Sequence, residues 1–357
     1  MKEVAVCHII GGGISGLAAA FFLKKYCPDM YSVIYEANQN LGGKAYSEYD
    51  DAWNINLNNY LHTIFNTDVF MSRFVDENEW RQNMFFINMR DMSGSLSIKE
   101  NFDIICKKIC QIQSEKIATP VKQRLLRLFN KNSFSSLKFY ASDSNFSQKF
   151  VNVLASFADE VHCSCRLSKI ISRKQHITSL YFGNRKVKLG GNDKVIFAFG
   201  NSEACKFIDV NKLVYNCSVN IAYHTSQTVF LPQGVSFVGL REGIADWIVA
   251  SPNILSAQIF NYKYQFTTPD KIALYVWDEI SRIRGVNSSF MPSYRLEIND
   301  KASLKMTENN NSARPDNAAT EYDNAFLCGD WTMKNYPCTL EVAVSSGKRA
   351  VRTMLKS

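Results

Sequence analysis

Three glycines at positions 11, 13 and 16, spaced G-x-G-x-x-G within "HIIGGGISGLAAA", point most directly to chemistry. In this spacing each glycine has its own task around a dinucleotide pyrophosphate. Gly11 permits a sharp turn, Gly13 lets backbone approach the phosphates, and Gly16 lets the following helix pack close to the preceding strand. Ile14 and Ser15 open that helix. Their amides lack acceptors within the first turn, so they present free N–H groups and the positive end of the helix dipole to an anion. Glu36 ends the next strand-like run, "YSVIYE", twenty positions after Gly16. Its carboxylate is placed to accept hydrogen bonds from a ribose diol and would repel a 2′-phosphate, which disfavours NADP. The glycine motif alone is weak, because an ordinary βαβ unit can carry it without a ligand. The strand before it and the apolar run Leu17 to Leu23 behind it supply the context it needs.

The other end of the chain carries a second constellation. "AFLCGDWT" reads as a strand ending at Gly329-Asp330, followed by a helix that starts near Thr339. Leu340, Val344, Gly347, Val351 and Leu355 recur at helical spacing, so one face of that helix is expected to be buried. The N-terminus of such a helix stabilises a bound anion by up to about 2 kcal/mol in a partly buried site, so an electron-rich or phosphorylated ligand is expected there beside Asp330. Glycine turn and last helix are thus expected to converge on one cofactor.

The elements between must hold the two ends together. A chain of 357 residues exceeds one compact core, so two domains are expected. Residues 84–150 carry no motif and read as mostly helical. A helix ending near Asp159 leads to strands through Val161 and around Leu167 to Ile171. "HITSLYFG" and "RKVKLGG" read as a hairpin, and "DKVIFAFGN" as a buried strand. Short β-like runs over 217–262 suggest an antiparallel sheet. "TPDKIALYVWDEISRI" reads as a helix with Thr268 before Pro269 as N-cap. The polar stretch "KMTENNNSARPDNAATEYDN" reads as loop.

Composition narrows the function classes. The chain is 46% hydrophobic and 21% charged, ordinary for a soluble protein. No apolar run approaches the ~18 residues of a spanning helix, and the N-terminus lacks a signal-peptide pattern, so a cytoplasmic address is expected. The ten Cys and five His show no zinc-ligand spacing, and reduced thiols with no metal are expected. The net charge of +8 is dispersed and no nucleic-acid motif appears. The densest basic stretch, "KIATPVKQRLLRLFNK", reads as an amphipathic helix after Pro120. Val121, Leu125 and Leu128 share one face, and Arg124, Arg127 and Lys131 another. That helix is either a solvated surface or a peripheral membrane contact.

The stretch E-A-x-x-x-L-G-G-K, formed by Glu36, Ala37, Leu41, Gly42, Gly43 and Lys44, resembles the FAD-binding motif of the flavin amine oxidase and phytoene desaturase superfamily. The resemblance implies that Gly42 and Gly43 pass close to the cofactor phosphates. Lys44 stands where Arg is usual and keeps the charge without the planar fork. It also implies that Leu167 contacts the adenine through its backbone, and that Gly329, Asp330, Thr339 and Leu340 bind the flavin end. N-x-F-L-x-G-D-W-T and Y-P-x-T-L-E-x-A-V-x-S-G look like the squalene-associated FAD-dependent desaturases of hopanoid biosynthesis, a branch that Arg314-Pro315 and Trp247 also fit. In flavin amine oxidases the position of Thr339 is usually aromatic, so an amine cage is absent and an apolar, isoprenoid-type substrate is favoured.

Two positions depart from the family pattern. Val342 stands where Gly is usual and would crowd the flavin or pack on a neighbour. In "WNINLNNYLH", Asn58 stands in place of an Asp-x-Gly turn and is expected to take a left-handed conformation. Tyr60 and His62 are the polar residues to watch near the ring, and no catalytic acid or base is named.

The expected fold class is α/β, a Rossmann-like FAD/NAD(P)-binding domain with an interleaved mixed α+β substrate domain. The FAD-binding domain is expected over 1–75, 150–205 and 320–357, and the substrate domain over 76–149 and 206–319. The resemblance implies an FAD-dependent oxidoreductase that transfers hydride between flavin N5 and an isoprenoid-type substrate. A flavin amine or amino-acid oxidase, and a flavin-binding protein without turnover, are the alternatives. The sequence sets no oligomeric state.

Overall fold

The computed structural model describes the chain except for residues 1–3, 59–62, 66–67, 82–83, 132–137, 142–143, 226–230, 263–267 and 288. It opens with a βαβ unit: β1 (Val6–Ile10), α1 (Ile14–Tyr26) and β2 (Tyr31–Tyr35). Next come β3 (Ser47–Asp50), β4 (Ile55–Asn58), β5 (Thr63–Phe65), β6 (Phe85–Asn88) and β7 (Gly94–Ser95). Then follow α2 (Phe102–Cys110), α3 (Thr119–Lys131), β8 (Phe139–Ala141) and α4 (Ser144–Ala155). The chain continues through β9 (Glu160–His162), β10 (Lys169–Arg173), β11 (His176–Phe182), β12 (Arg185–Lys188), β13 (Lys194–Phe197) and α5 (Asn201–Ala204). The remaining strands before the long helix are β14 (Tyr215–His224), β15 (Phe237–Arg241), β16 (Trp247–Ser251) and β17 (Ile254–Phe260). The chain closes with α6 (Pro269–Arg284), β18 (Tyr294–Leu304), α7 (Glu308–Ser312), β19 (Ala325–Leu327) and α8 (Leu340–Met354).

Five strands make a parallel sheet in the order β19-β13-β1-β2-β9. Parallel neighbours require crossover connections, and helices then cover the faces, so the strands must be apolar on both sides. Cys7, Ile9, Ile34, Val195, Ile196, Phe197 and Ala325 are accordingly buried. Helices α1 and α8 cross in close contact over this sheet. A Cβ on Gly347 would lie 2.5 Å from the Ser15 carbonyl oxygen and 2.8 Å from the Ala19 nitrogen, so only glycine permits this approach. Strands β10, β11 and β12 form a separate antiparallel sheet.

A seven-stranded sheet, β18-β14-β17-β16-β15-β6-β7, forms the second layer system. Helix α6 covers one face of it, burying Ile272, Val276 and Ile280 against a cluster that includes Val219, Ile221 and Ile248. Several expectations need correction here. Helices α2, α3 and α4 make up most of the regular structure described over 84–150, but that stretch also holds the short strands β6, β7 and β8, and β6 pairs in parallel with β15. Four residues, "FFIN", are too short for periodicity to show, and their partner is about 150 residues away in sequence. The polar loop after β18 contains the short helix α7. On α3 the buried stripe is Val121, Leu125 and Phe129, while Leu128 is exposed at its margin. The α8 stripe ends at Met354, and Leu355 is exposed. Asn58 ends β4 in extended conformation opposite Ser47; the left-handed residue nearby is Asn54, with φ 54°.

Among the described residues no helix is long and apolar enough to cross a membrane, and no cluster of His, Cys, Asp and Glu could hold a metal.

Candidate functional site

The first turn is built as its glycines require. Gly11 has φ +116°, and a Cβ there would sit 2.8 Å from the Ala198 carbonyl oxygen. A Cβ on Gly16 would lie 2.0 Å from the Gly11 carbonyl oxygen, so this glycine serves helix–strand packing. Gly13 is the extended N-cap of α1 and has no side-chain cap. The second glycine turn comes up beside it. Gly42 pairs with Gly13 in a parallel bridge and donates its N–H to Gly12 O at 2.9 Å. A Cβ on Gly43 would come within 3.2 Å of the Gly13 Cα. The two turns thus form a backbone cradle in which a side chain would occupy the space.

Glu36 is buried at the end of β2. Its Oε2 accepts the Gly12 N–H at 2.7 Å and its Oε1 the Asn38 N–H at 2.8 Å. Each carboxylate oxygen has a further lone pair for a ligand hydroxyl. The carboxylate also holds the glycine turn in shape, a role the spacing alone does not reveal.

The C-terminal half is tied to this cradle by two residues that motif reading did not place. Ser346 on α8 accepts the Gly329 N–H at 2.9 Å, donates to Ala343 O at 2.6 Å and lies 3.3 Å from Ser15 Oγ. Arg314, only 2% exposed, spreads its guanidinium over three carbonyls of the following loop. Nε donates to Trp331 O at 3.0 Å, and the terminal nitrogens to Tyr336 O and Asp330 O at 2.7 Å each. Its signal in the sequence was a charged residue before a strand, which by itself says nothing of where the fork points. Gly329 takes φ +144°, and a Cβ there would strike the Trp331 ring at 2.7 Å. Thr339 caps α8, its Oγ1 accepting the Val342 N–H at 3.3 Å.

These pieces enclose one cavity of ≈ 480 Å³, within the range of cofactor and ligand sites. It is lined by Gly11, Gly13, Ile14 and Ser15 from the first turn, by Glu36 and Ala37, and by Gly42, Gly43 and Lys44. Leu167, Gly329, Asp330, Thr339 and Leu340 complete the set singled out from sequence. Gly16 alone of that set stands behind the wall. Val342 is buried but does not line the cavity; Ala343 does. Lys44 lies 5.6 Å from the ring centre of Tyr215, which also lines the space. Tyr60 and His62 fall outside the described residues.

The far side of the cavity belongs to the second sheet. Gln258 lines it and receives a hydrogen bond from Lys108 Nζ, which sits over the Trp247 and Phe260 rings at 5.7 and 5.4 Å. Burial pushes the Lys108 ammonium down to about 7, with the Asp246 carboxylate opposing the shift. At the α8 N-terminus, Glu341 accepts the Phe70 and Met71 N–H groups at 3.0 Å. Burial raises its carboxyl above the usual range.

Residues 9–77 match the NAD(P)-binding Rossmann-like domain, and residues 250–355 the flavin containing amine oxidoreductases. The hydroxysqualene dehydroxylase of Zymomonas mobilis is 29% identical over 210 residues, 58% of this chain and 50% of its own length. That of Rhodopseudomonas palustris is 28% identical over 57% of this chain and 48% of its own. The chain spans about half the length of the curated relatives it matches. Cyclohexylamine oxidase from Brevibacterium oxydans superposes with TM-score 0.66 at 11% identity, covering 99% of both chains. Putrescine oxidase superposes with TM-score 0.66 at 10% identity, covering 99% of this chain and 100% of the other. The fold is therefore the α/β architecture of these oxidases, with a Rossmann-like dinucleotide domain. The superfamily resemblance read from the two ends holds, and a flavin is the cofactor class these matches support.

Proposed function

We propose that this chain is an FAD-dependent oxidoreductase acting on an isoprenoid-type substrate, desaturase-like and of the kind that handles hydroxysqualene. The observation that carries the reading is the convergence of the first glycine turn and the N-terminus of α8 on one cavity. The relatives named for hydroxysqualene supply the substrate class.

The residues present fit a flavin dinucleotide. The open cradle of Gly13, Gly42 and Gly43, with the first-turn amides of Ile14 and Ser15, would take the pyrophosphate. Lys44 would add charge there. Glu36 would bind the adenosine ribose, with Ala37 and Leu167 beside the adenine. Gly329, Asp330, Thr339 and Leu340 would hold the flavin end, where the α8 dipole favours negative charge. Bound flavin supplies hydride exchange at N5 with a substrate carbon; for a hydroxylated isoprenoid the balance is hydride and a proton in, water out. The protein orients the substrate and keeps the pocket dry. We further propose the division into an FAD-binding part, 1–75, 150–205 and 320–357, and a substrate part, 76–149 and 206–319.

The test is the absorbance spectrum of purified protein, followed by anaerobic mixing of the photoreduced protein with hydroxysqualene. A yellow protein whose flavin reoxidises as squalene forms is the expected result. A preparation that stays colourless in excess FAD overturns the reading. Bleaching of the oxidised protein by amines, and not by isoprenoids, would replace it with an amine oxidase.

A further inference from the structure

A lysine is costly to bury, so one inside a fold is a candidate for function. Lys108 falls on the buried face of α2 with Ile104, Ile105 and Cys110, one helical turn beyond Ile104. Its Nζ donates to Gln258 Oε1, and Gln258 belongs to the wall of the cavity. Gln258 Nε2 donates to Asn220 Oδ1 at 3.0 Å, which fixes the amide with its oxygen toward the lysine. The amine therefore stands one side chain behind the wall, against the faces of Trp247 and Phe260. No bound molecule needs to touch it. In surroundings so poor in water, a charge at Nζ acts across the wall through its field.

Asp246, from the turn before β16, is the charged group whose field reaches the amine. Its carboxylate is already bonded to Lys107 of the same helix and accepts the Phe260 N–H at 2.6 Å. Glu279 of α6 stands beside that turn, accepting the Ile244 and Ala245 N–H groups at 2.6 and 2.9 Å. β15, which packs on α2, brings Arg241, exposed and bonded to Glu100 O at 3.3 Å. At the start of α2, Asp103 meets Lys122 of α3 at 3.7 Å. Burial outweighs Asp246 and holds the amine down to about 7, so a modest change of charge nearby decides whether it carries a proton at neutral pH. The cavity is where such a change occurs. A hydride added to bound flavin leaves one negative charge there, and a negative charge raises the proton affinity of an amine. By linkage, the protonated amine favours the reduced form to the same extent.

We propose that Lys108 is the charge-balancing residue of this site, taking a proton from solvent when a hydride donor reduces bound flavin and releasing it when the hydride is passed on. The hydride then resides on the flavin and the proton on Nζ, and the pair is neutral. A dehydroxylation consumes one hydride and one proton, and the reduced protein holds both. Lys108 acts across Gln258, positioning charge without touching the reacting atoms. The inference rests on the reading of the cavity as a flavin site.

The test is the reduction potential of flavin-loaded wild type, Lys108→Met and Lys108→Arg, measured by spectroelectrochemistry from pH 6 to 9. Each proton taken up with the electron pair lowers the potential by about 30 mV per pH unit. Wild type should fall by about 60 mV per unit above pH 7, and Lys108→Met by about 30 mV per unit throughout. Lys108→Arg keeps a charge that does not titrate, so it should share the shallow slope from a higher potential than Lys108→Met. Wild type alone gives a second reading: proton uptake during electrochemical reduction in weak buffer, with the absorbance of the reduced flavin reporting its anionic form. Two protons per flavin are expected at pH 8. One proton, or two with the neutral reduced spectrum, overturns the proposal. Equal slopes in wild type and variants, with only flavin content or melting temperature changed, overturn it as well and leave Lys108 a structural role. Failure of wild type to take up flavin strikes the underlying reading instead.

Discussion

Replacing Lys108 by Met changes the pH dependence of stability in a direction that burial dictates. Lys108 is 8% exposed, and its ammonium falls from the 10.5 of a solvated lysine to about 7. Below pH 7 the side chain is charged in both folded and unfolded chains, and the folded state carries the whole burial penalty. Between 7 and 10.5 the unfolded chain binds the proton and the folded chain does not. Stability contributed through this group therefore rises with pH across that window and levels off above it. A shift of that size corresponds to about 5 kcal/mol, of which about 4 kcal/mol is recovered between pH 6 and 10. Urea unfolding of wild type and Lys108→Met at steps from pH 6 to 10 measures this. The stability of the variant relative to wild type should fall by that amount as pH rises, while thiol and tyrosine titrations cancel in the difference. A difference constant to within about 0.5 kcal/mol, the usual scatter for independent sites, would refute the assignment of a buried, depressed ammonium.

Gly347→Val should push α1 and α8 apart, because the added atoms meet backbone at 2.5 Å; a loss of at least about 2 kcal/mol in urea unfolding is expected, with reduced flavin content. Glu36→Ala leaves the Gly12 and Asn38 amides without their charged acceptor. Loss of such bonds, about 1.5–3 kcal/mol each, should weaken flavin binding more than tenfold, as read by equilibrium dialysis. Arg314→Met removes the donor to three loop carbonyls, so a loss of about 3 kcal/mol is expected. Faster proteolysis within 330–338 would locate the damage, and unchanged cleavage there would count against a loop-holding role.

The sequence by itself determined the glycine turn that opens this protein and the start of its last helix. Gly11 and Gly16 are legible because backbone demands allow few residue types there: a φ of +116°, or a Cβ that would lie 2.0 Å from a carbonyl, leaves only glycine. Gly329, with φ +144°, is held by the same demand, and Thr339 is legible as one of the few residue types that cap a helix. Constraints that act within a few residues of chain leave their mark on local spacing. The tertiary structure alone decided what the two ends share and what closes the cavity. The Arg314 fork, the Ser346 link to Gly329 and Ser15, the pairing of β6 with β15, and the bond from Lys108 to Gln258 each join residues far apart in sequence. A serine or an arginine is compatible with many surroundings, so its type does not disclose its partner. Hydrogen bonds across the fold are fixed only when the sheets pack and bring donor to acceptor.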